Sequence, residues 1–387
     1  MDKDGYNLFI GSSTGLIKGA YVGKNDVNVK VFSKNCVKDK ELISNKNEIT
    51  YLNWDSSLEN EILVGMKNGI KTFNVDSEEF TINCSIPDGN IGGFFKNDET
   101  LFLALKSGSI KSLKYPFDEE NLIEEFNVGK DVEKMKRSIT KSNIVAVGGK
   151  DNDLKLYDLN TRQTTFIAKN IKPDELQIQA PVWVSDMTFF PDSDKIINCS
   201  RHGYVRLYDP LLPQRRPVIN VQQPEEVFTC ISRTPNDQQV LVGSGYGNLM
   251  LVDLRNKNAF AGKYKGFTGA VKSIACPSNQ SLVMTASLDR HFRIHDFTTR
   301  QLLVKEYMQS RLTTLLPKES FELKKFKSET TSDPEVKKKK KKKVVDELEP
   351  DSQNASEIET SSKTAKRKTI DEKAVEEPKK IKWKKTK

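Results

Sequence analysis

A short apolar segment, a polar turn and a second apolar segment occur seven times between residues 8 and 296. The turns are spaced by 54, 39, 44, 51, 44 and 43 residues. A period of roughly 40–45 residues is typical of one four-stranded blade of a β-propeller, and the longer spacings indicate inserted loops. Most turn positions hold a residue that tolerates positive φ, as tight hairpins require. These positions are Gly15, Gly69, Gly108, Asn152, Gly203, Gly247 and Arg290.

Four repeats end on an aspartate that follows an aromatic or aliphatic residue or a histidine. The pairs are Tyr157-Asp158, Tyr208-Asp209, Val252-Asp253 and His295-Asp296. They occupy the place of the Trp-Asp pair in WD repeats, although none has the literal pair, so the prediction depends on the spacing. The sequence therefore predicts an all-β fold: a seven-bladed WD-repeat β-propeller followed by a disordered basic C-terminal tail.

The number of strands predicts how the ring closes. Six innermost strands are expected to start near Glu48, Asn90, Asp131, Pro181, Glu225 and Gly269. The seventh is expected over residues 311–317, where it would complete the blade begun by the N-terminal repeat. A closed ring leaves only short, protected sheet edges. The propeller is thus predicted to span residues 1–317.

The composition changes after Pro317. Residues 318–387 contain 22 Lys and Arg against 15 Asp and Glu, and Leu, Ile, Val and Phe make up only 11 of the 70 positions. Chains this poor in apolar residues do not bury a core. The basic clusters are typical of nuclear localisation signals or of contacts to RNA phosphates. They comprise Lys337, Lys338, Lys339, Lys340, Lys341, Lys342, Lys343, Lys366, Arg367, Lys368, Lys379, Lys380, Lys382, Lys384 and Lys385.

Several function classes are disfavoured. The five cysteines are widely spaced with no C-x-x-C pair, which indicates buried thiols of a reducing compartment. Neither a signal peptide nor an apolar run of about 18 residues is found, so we expect a soluble protein without a membrane partner.

No enzymatic motif is complete. The Gly-Lys pairs lack the rest of a phosphate-binding loop, and residues 243–247 read as a hairpin turn. His291 and His295 lie on one predicted strand, where four residues span roughly 13 Å, too far to share a metal ion. We therefore expect no catalytic residues, no metal, no cofactor and no small-molecule substrate.

Two features leave alternatives open. Asp253-Leu254-Arg255 matches a short Asp-x-Arg box of propellers that act as substrate receptors of cullin-type ubiquitin ligases, or it is a structural ion pair. Residues 168–176 and 209–218 are polar loops that the fold does not require. Arginines in a rigid loop are good anchors for carboxylate or phosphate partners, although plain loop decoration is the other interpretation.

These loops also carry a family resemblance. The segments at 8–19, 148–159, 168–170 and 181–183, and above all 205–218, resemble WD repeat-containing protein 74 and the fungal Nop-seven-associated ribosome-assembly family. The similarity is strongest over residues 144–300 and weakest in the second and third blades. The predicted partner-binding residues come from these segments and from the rest of the loop at 168–176: Lys169, Asn170, Asp174, Trp183, Gln214, Arg215 and Arg216.

The resemblance implies a function that composition alone does not show. Family members are scaffolds of large-subunit (60S) assembly and rRNA processing in the nucleolus. The implied partners are pre-60S ribosomal proteins and assembly factors, a nuclear AAA-type ATPase of the valosin-containing-protein-like kind, and pre-rRNA through the tail.

Overall fold

The computed structural model describes residues 5–323, except 25–28, 38–42, 56–57, 68, 87–89, 116, 118–120, 192 and 257–258. The predicted tail clusters at 337–385 therefore lie outside the described residues. In the described ranges the chain forms seven four-stranded antiparallel sheets and no α-helix, with one 3₁₀ turn at Asn45–Asn47. No described helix is long and apolar enough to cross a membrane.

The strands follow one another blade by blade. Blade 1 begins with β1 (Leu8–Ser12), β2 (Ile17–Lys24) and β3 (Val29–Asn35). Blade 2 contains β4 (Ile49–Trp54), β5 (Glu61–Met66), β6 (Gly69–Asn74) and β7 (Glu79–Ser85). Blade 3 contains β8 (Ile91–Asn97), β9 (Thr100–Leu105), β10 (Ser109–Lys114) and β11 (Leu122–Asn127). Blade 4 contains β12 (Val132–Arg137), β13 (Ile144–Gly149), β14 (Asn152–Asp158) and β15 (Gln163–Ile167).

The remaining blades repeat this order. Blade 5 contains β16 (Val184–Phe189), β17 (Ile196–Ser200), β18 (Tyr204–Tyr208) and β19 (Ile219–Gln222). Blade 6 contains β20 (Phe228–Arg233), β21 (Gln239–Ser244), β22 (Leu249–Asp253) and β23 (Phe260–Tyr264). Blade 7 contains β24 (Val271–Ala275), β25 (Leu282–Ser287), β26 (His291–Asp296) and β27 (Leu302–Tyr307), and the final strand is β28 (Leu312–Pro317).

Strand β28 closes the ring. It is the innermost strand of blade 1 and pairs antiparallel with β1, in a register that sets Leu8 opposite Pro317 and Ile10 opposite Leu315. The predicted closure is therefore confirmed. Each of the seven innermost strands begins one to three residues after its predicted start.

The ordered chain continues past the predicted boundary at Pro317. The Lys318 backbone N–H donates to the carbonyl oxygen of Asn7 at 3.0 Å. Phe321 is only 1% exposed and packs with Leu8 and Met284 in the cluster between blades 7 and 1. The charged residues around Phe321 make this segment look like tail in sequence, yet one buried aromatic ring is enough to anchor it.

The turn prediction is right for the five glycines and for Arg290, all of which have positive φ. It is wrong by one residue at Asn152, because Asp151 is the residue with positive φ, at 50°. Asn152 is instead the first residue of β14, and its side-chain amide donates to the Lys130 carbonyl oxygen at 2.8 Å. That hydrogen bond holds Asn152 in the strand, so the turn residue with positive φ is Asp151.

Blades pack closely because the second strand has a glycine where the next blade approaches. A Cβ atom at Gly11 would lie 2.7 Å from Ile49 Cγ2, and one at Gly65 would lie 2.5 Å from the Phe94 ring. Gly148 faces Val184 in the same way, because a Cβ atom at Gly148 would lie 3.1 Å from the Val184 side chain. These strand glycines, which differ from the positive-φ glycines of the turns, therefore allow the close contact between blades.

Phe321 gives a test of where the propeller ends. We expect Phe321→Ala to lower the free energy of unfolding by about 3–5 kcal/mol, because it removes a fully buried ring and leaves a cavity. Tyr246→Ala, at a side chain that is 66% exposed, should change it by less than about 0.5 kcal/mol. Urea denaturation of the full chain measures both. Equal midpoints for the two variants would mean that the propeller ends at Pro317.

Candidate functional site

The two predicted loops contact each other and form one surface. We call residues 168–180 and 209–218 the loop pair. The Lys169 backbone N–H donates to the Arg215 carbonyl oxygen at 2.8 Å. Arg216 Nη1 donates to the Asn170 carbonyl oxygen at 2.6 Å. The connection between blades 4 and 5 is therefore held against the β18–β19 loop of blade 5.

Side chains within residues 168–180 fix its conformation. Asn170 is buried, and its amide group donates to the Ala180 carbonyl oxygen at 2.6 Å. Asp174 Oδ1 accepts from the backbone N–H groups of Leu176 and Ile178, at 2.9 and 2.8 Å. Asn170 and Asp174 thus shape the loop, and the Asp174 side chain remains exposed.

The loop pair presents apolar side chains to solvent. Leu176 and Leu211 are each 78% exposed, and Ile178 is 61% exposed. Gln214 and Arg215 are also exposed, whereas Arg216 is half-buried. Exposed apolar side chains that gather on one surface are more typical of interaction sites than scattered ones.

Trp183 belongs to a different set of contacts, just before the innermost strand β16. The Lys150 ammonium lies 5.2 Å from the centroid of its ring, and the Arg201 guanidinium lies 5.1 Å away. Its backbone carbonyl accepts from the Arg201 N–H at 3.1 Å. The sequence grouped Trp183 with the loops, but its side chain packs at the inner edge of the blades.

Asp253 and Arg255 form an ion pair within blade 6. Arg255 Nε and Nη2 donate to the two carboxylate oxygens of Asp253, at 2.9 and 2.6 Å. These bonds, with a further one from Gln239, hold the pKa of the Asp253 carboxyl well below its usual range. In the Asp-x-Arg box, the arginine and the aspartate therefore bind each other as a structural ion pair.

The histidines are used locally. His295 is buried and its Nε2 lies 3.0 Å from the Lys265 carbonyl oxygen, while His291 Nδ1 lies 2.9 Å from the Asp289 carbonyl oxygen. No group of three or more His, Cys, Asp or Glu able to hold a metal occurs in the described part of the chain.

The cysteine and glycine motifs also have structural roles. Burial raises the pKa of Cys36 to about 11 and that of Cys230 to about 12, so both thiols stay protonated. Residues 243–247 join β21 to β22 as a hairpin, as predicted.

A cluster of lysines in the central channel was missed by the sequence reasoning. Lys134 and Lys136 on β12 and Lys272 on β24 line a cavity of about 530 Å³ between the innermost strands. The signal was present, because β12 reads Val-Glu-Lys-Met-Lys-Arg and was assigned to an innermost position. A strand so rich in charge can lie there only if its polar side chains face a water-filled channel.

Comparison with known proteins agrees with this architecture. The family model "WD domain, G-beta repeat" matches residues 259–296. WD repeat-containing protein 74 of Bos taurus is 32% identical over 85% of this chain and 88% of its own length. The Homo sapiens protein of that name is 31% identical over 80% of each chain. "Ribosome biogenesis protein NSA1" of Meyerozyma guilliermondii is 27% identical over 57% of this chain and 65% of its own.

A solved structure supports the fold alone. The crystal structure of the computationally designed Ika8 protein superposes with a TM-score of 0.55 at 16% identity, covering 80% of this chain and 91% of the designed one. Seven sheets closed by β28, together with the matched repeat, define a WD-repeat propeller. The identity and coverage of the mammalian relatives narrow this class: the chain belongs to the family of WD repeat-containing protein 74.

Neighbouring arginines in the loop pair should differ in their effect on stability. We expect Arg216→Ala to lower the free energy of unfolding by about 1 kcal/mol, because it removes a charged donor to the Asn170 carbonyl at a half-buried site. Arg215→Ala removes an exposed side chain and should change it by less than about 0.5 kcal/mol. Thermal denaturation of both variants measures the difference. Equal stability would mean that the Arg216 bond does not hold the loops together.

Proposed function

We propose that this chain is a non-catalytic scaffold of ribosome biogenesis that binds nucleolar pre-60S particles during large-subunit assembly and rRNA processing. Membership of the family and the printed name of the fungal relative support the ribosome-biogenesis role. The observation that carries the binding role is the loop pair, which exposes leucines and Arg215 on a backbone held by hydrogen bonds.

The loop pair fits a protein partner with an apolar groove bordered by carboxylates. Leu176 and Leu211 would supply the apolar anchors, and Arg215 would pair with an acidic group at the edge. Because the bonds at Asn170 and Arg216 fix the backbone beforehand, little conformational entropy is lost on binding. The proposed partner is a ribosomal protein or assembly factor of the pre-60S particle.

The other assignments extend this proposal. The closed ring suits a scaffold, because His291, His295 and the Asp253–Arg255 pair make contacts within the fold. The basic clusters at 337–343, 366–368 and 379–385 would direct nuclear and nucleolar localisation and contact pre-rRNA. A nuclear AAA-type ATPase of the valosin-containing-protein-like kind is the proposed partner for release.

The loop pair is tested by removing its two most exposed leucines. We expect Leu176→Ser with Leu211→Ser to leave thermal stability unchanged, because both side chains are exposed. Co-sedimentation with pre-60S particles should fall at least tenfold, since two leucines that become buried on binding contribute about 1.4 kcal/mol or more. Arg215→Glu should act in the same direction, because it replaces an attraction with a repulsion.

The matched control removes two leucines from another surface. Leu302 and Leu303 on the outermost strand of blade 7 are each 41% exposed, and changing both to Ser should leave sedimentation intact. Undiminished pre-60S binding by the loop-pair variant would place the contact elsewhere on the propeller.

The tail is tested separately. We expect deletion of residues 337–387 to move a fluorescent fusion from the nucleus toward the cytoplasm, because it removes all the predicted basic clusters. Fluorescence microscopy gives the distribution, and deletion of the acidic stretch at 346–359 alone is the control. A nucleolar signal that persists without the clusters would assign localisation to the propeller.

A further inference from the structure

The central channel holds an accumulation of positive charge that the fold does not explain. Lys134 and Lys136 lie two residues apart on β12, so both side chains point to the same side of the strand, into the channel. Lys272 enters from β24. The cavity of about 530 Å³ that they line has the size of a small-ligand site.

Little negative charge balances these lysines. Asp186 and Glu319 are the acidic residues among the described side chains that line the cavity. One Asp186 oxygen already accepts from the Ile231 backbone N–H at 3.1 Å, and the other lies 3.9 Å from Lys134 Nζ. Lys134 also lies 4.4 Å from the centroid of the Tyr51 ring. Burial lowers the pKa of Lys134, but Tyr51 and Asp186 raise it by more, so the pKa lies above its usual value.

Lys136 and Lys272 are compensated at longer range, by Asp186 and by Glu48 respectively. Neither ammonium has a carboxylate within 4.0 Å in the described part of the chain. Burial lowers the pKa of half-buried Lys272, and the like charges of Arg201 and Lys134 lower it further. Lys136 is exposed to the channel and has Lys134 as a like-charged neighbour on its own strand. A ligand anion would offset the repulsion among these ammoniums.

A further cation, Arg201, lies where the innermost strand of blade 5 begins. Arg201 lies near enough to Lys272 to lower its pKa, and it is held 3.6 Å from Glu133. Two N–H donors there, Trp183 Nε1 and Arg201 Nε, are buried with no acceptor among the described residues. Neither side chain is among those that line the cavity.

We propose that the central channel is a binding site for clustered phosphate groups, held by Lys136 and Lys272. This site is independent of the loop pair and does not rest on the proposed ribosomal function. The inner groups are ammoniums, which act as point charges and suit tetrahedral phosphates, whereas planar carboxylates favour the guanidinium fork. Several ammoniums in one cavity require a ligand with several negative charges.

Two sources could supply this chemistry: a free polyphosphate that enters the cavity, or backbone phosphates of single-stranded RNA at the mouth. The probe for the first is tripolyphosphate, and the probe for the second is a twelve-nucleotide oligouridylate. Both are measured with the full chain, with Lys136→Gln/Lys272→Gln, and with Lys263→Gln/Lys305→Gln. The last variant removes two lysines from the outermost strands of blades 6 and 7 and leaves the channel intact.

Without ligand, we expect the channel variant to be at least as stable as the unmodified chain, because repulsion is relieved. Tripolyphosphate should raise the thermal midpoint of the unmodified chain and of the outer-strand variant, since a ligand of the folded state stabilises it. Its affinity for the channel variant should be at least about tenfold weaker, because two charged contacts are lost. All three proteins keep every lysine after residue 323, so any contribution from that region is common to them.

The outcomes separate the possibilities. Loss of oligouridylate binding together with tripolyphosphate binding identifies RNA phosphates as a source, and loss of tripolyphosphate binding alone identifies a free polyphosphate. The proposal is overturned if the channel and outer-strand variants respond equally, or if hexaglutamate stabilises the chain as strongly as tripolyphosphate does. If the double variant is less stable without ligand, the two single variants replace it, and a lower stability in both would assign the lysines a structural role.

Discussion

Pairing of β28 with β1 is the interaction on which the rest of the propeller depends. The innermost strand of blade 1 comes from the far end of the domain, so three separate blades are joined through it. The β28 backbone N–H at Leu315 donates to Ser273 of blade 7 at 3.3 Å, and the Pro317 carbonyl accepts from Trp54 of blade 2 at 3.1 Å. Without this strand, blade 1 would expose an unpaired edge to the channel.

Close packing between blades follows from small residues at equivalent positions. Gly11, Gly65 and Gly148 each face a side chain of the next blade at a distance that admits no Cβ atom without movement. The turns that follow these strands recur at similar spacing, which is why the number of blades could be predicted from the sequence. The repeat is visible because each blade meets its neighbour in a similar way.

Features that depend on one residue or on contacts distant in sequence could not be predicted in this way. In the sequence, the charged residues around Phe321 hide its anchoring role. The positive φ falls on Asp151 instead of Asn152 because the Asn152 side-chain amide donates a hydrogen bond to the Lys130 carbonyl oxygen. The bond from Arg216 to Asn170 joins residues 46 positions apart, so it becomes visible only when blades 4 and 5 are placed side by side. Likewise, the channel cluster requires β12 and β24 to face one cavity.

The position of β28 also sets the order in which the chain can fold during synthesis. A ribosome releases β1, β2 and β3 first, yet their innermost partner lies about 300 residues later, at Leu312–Pro317. Blades 2 to 7 can each complete a four-stranded sheet as they emerge, while the edge of β1 must wait for the final strand. During that interval an apolar strand edge is available to other chains, so the N-terminal hairpin is the part of the nascent protein that most needs a chaperone.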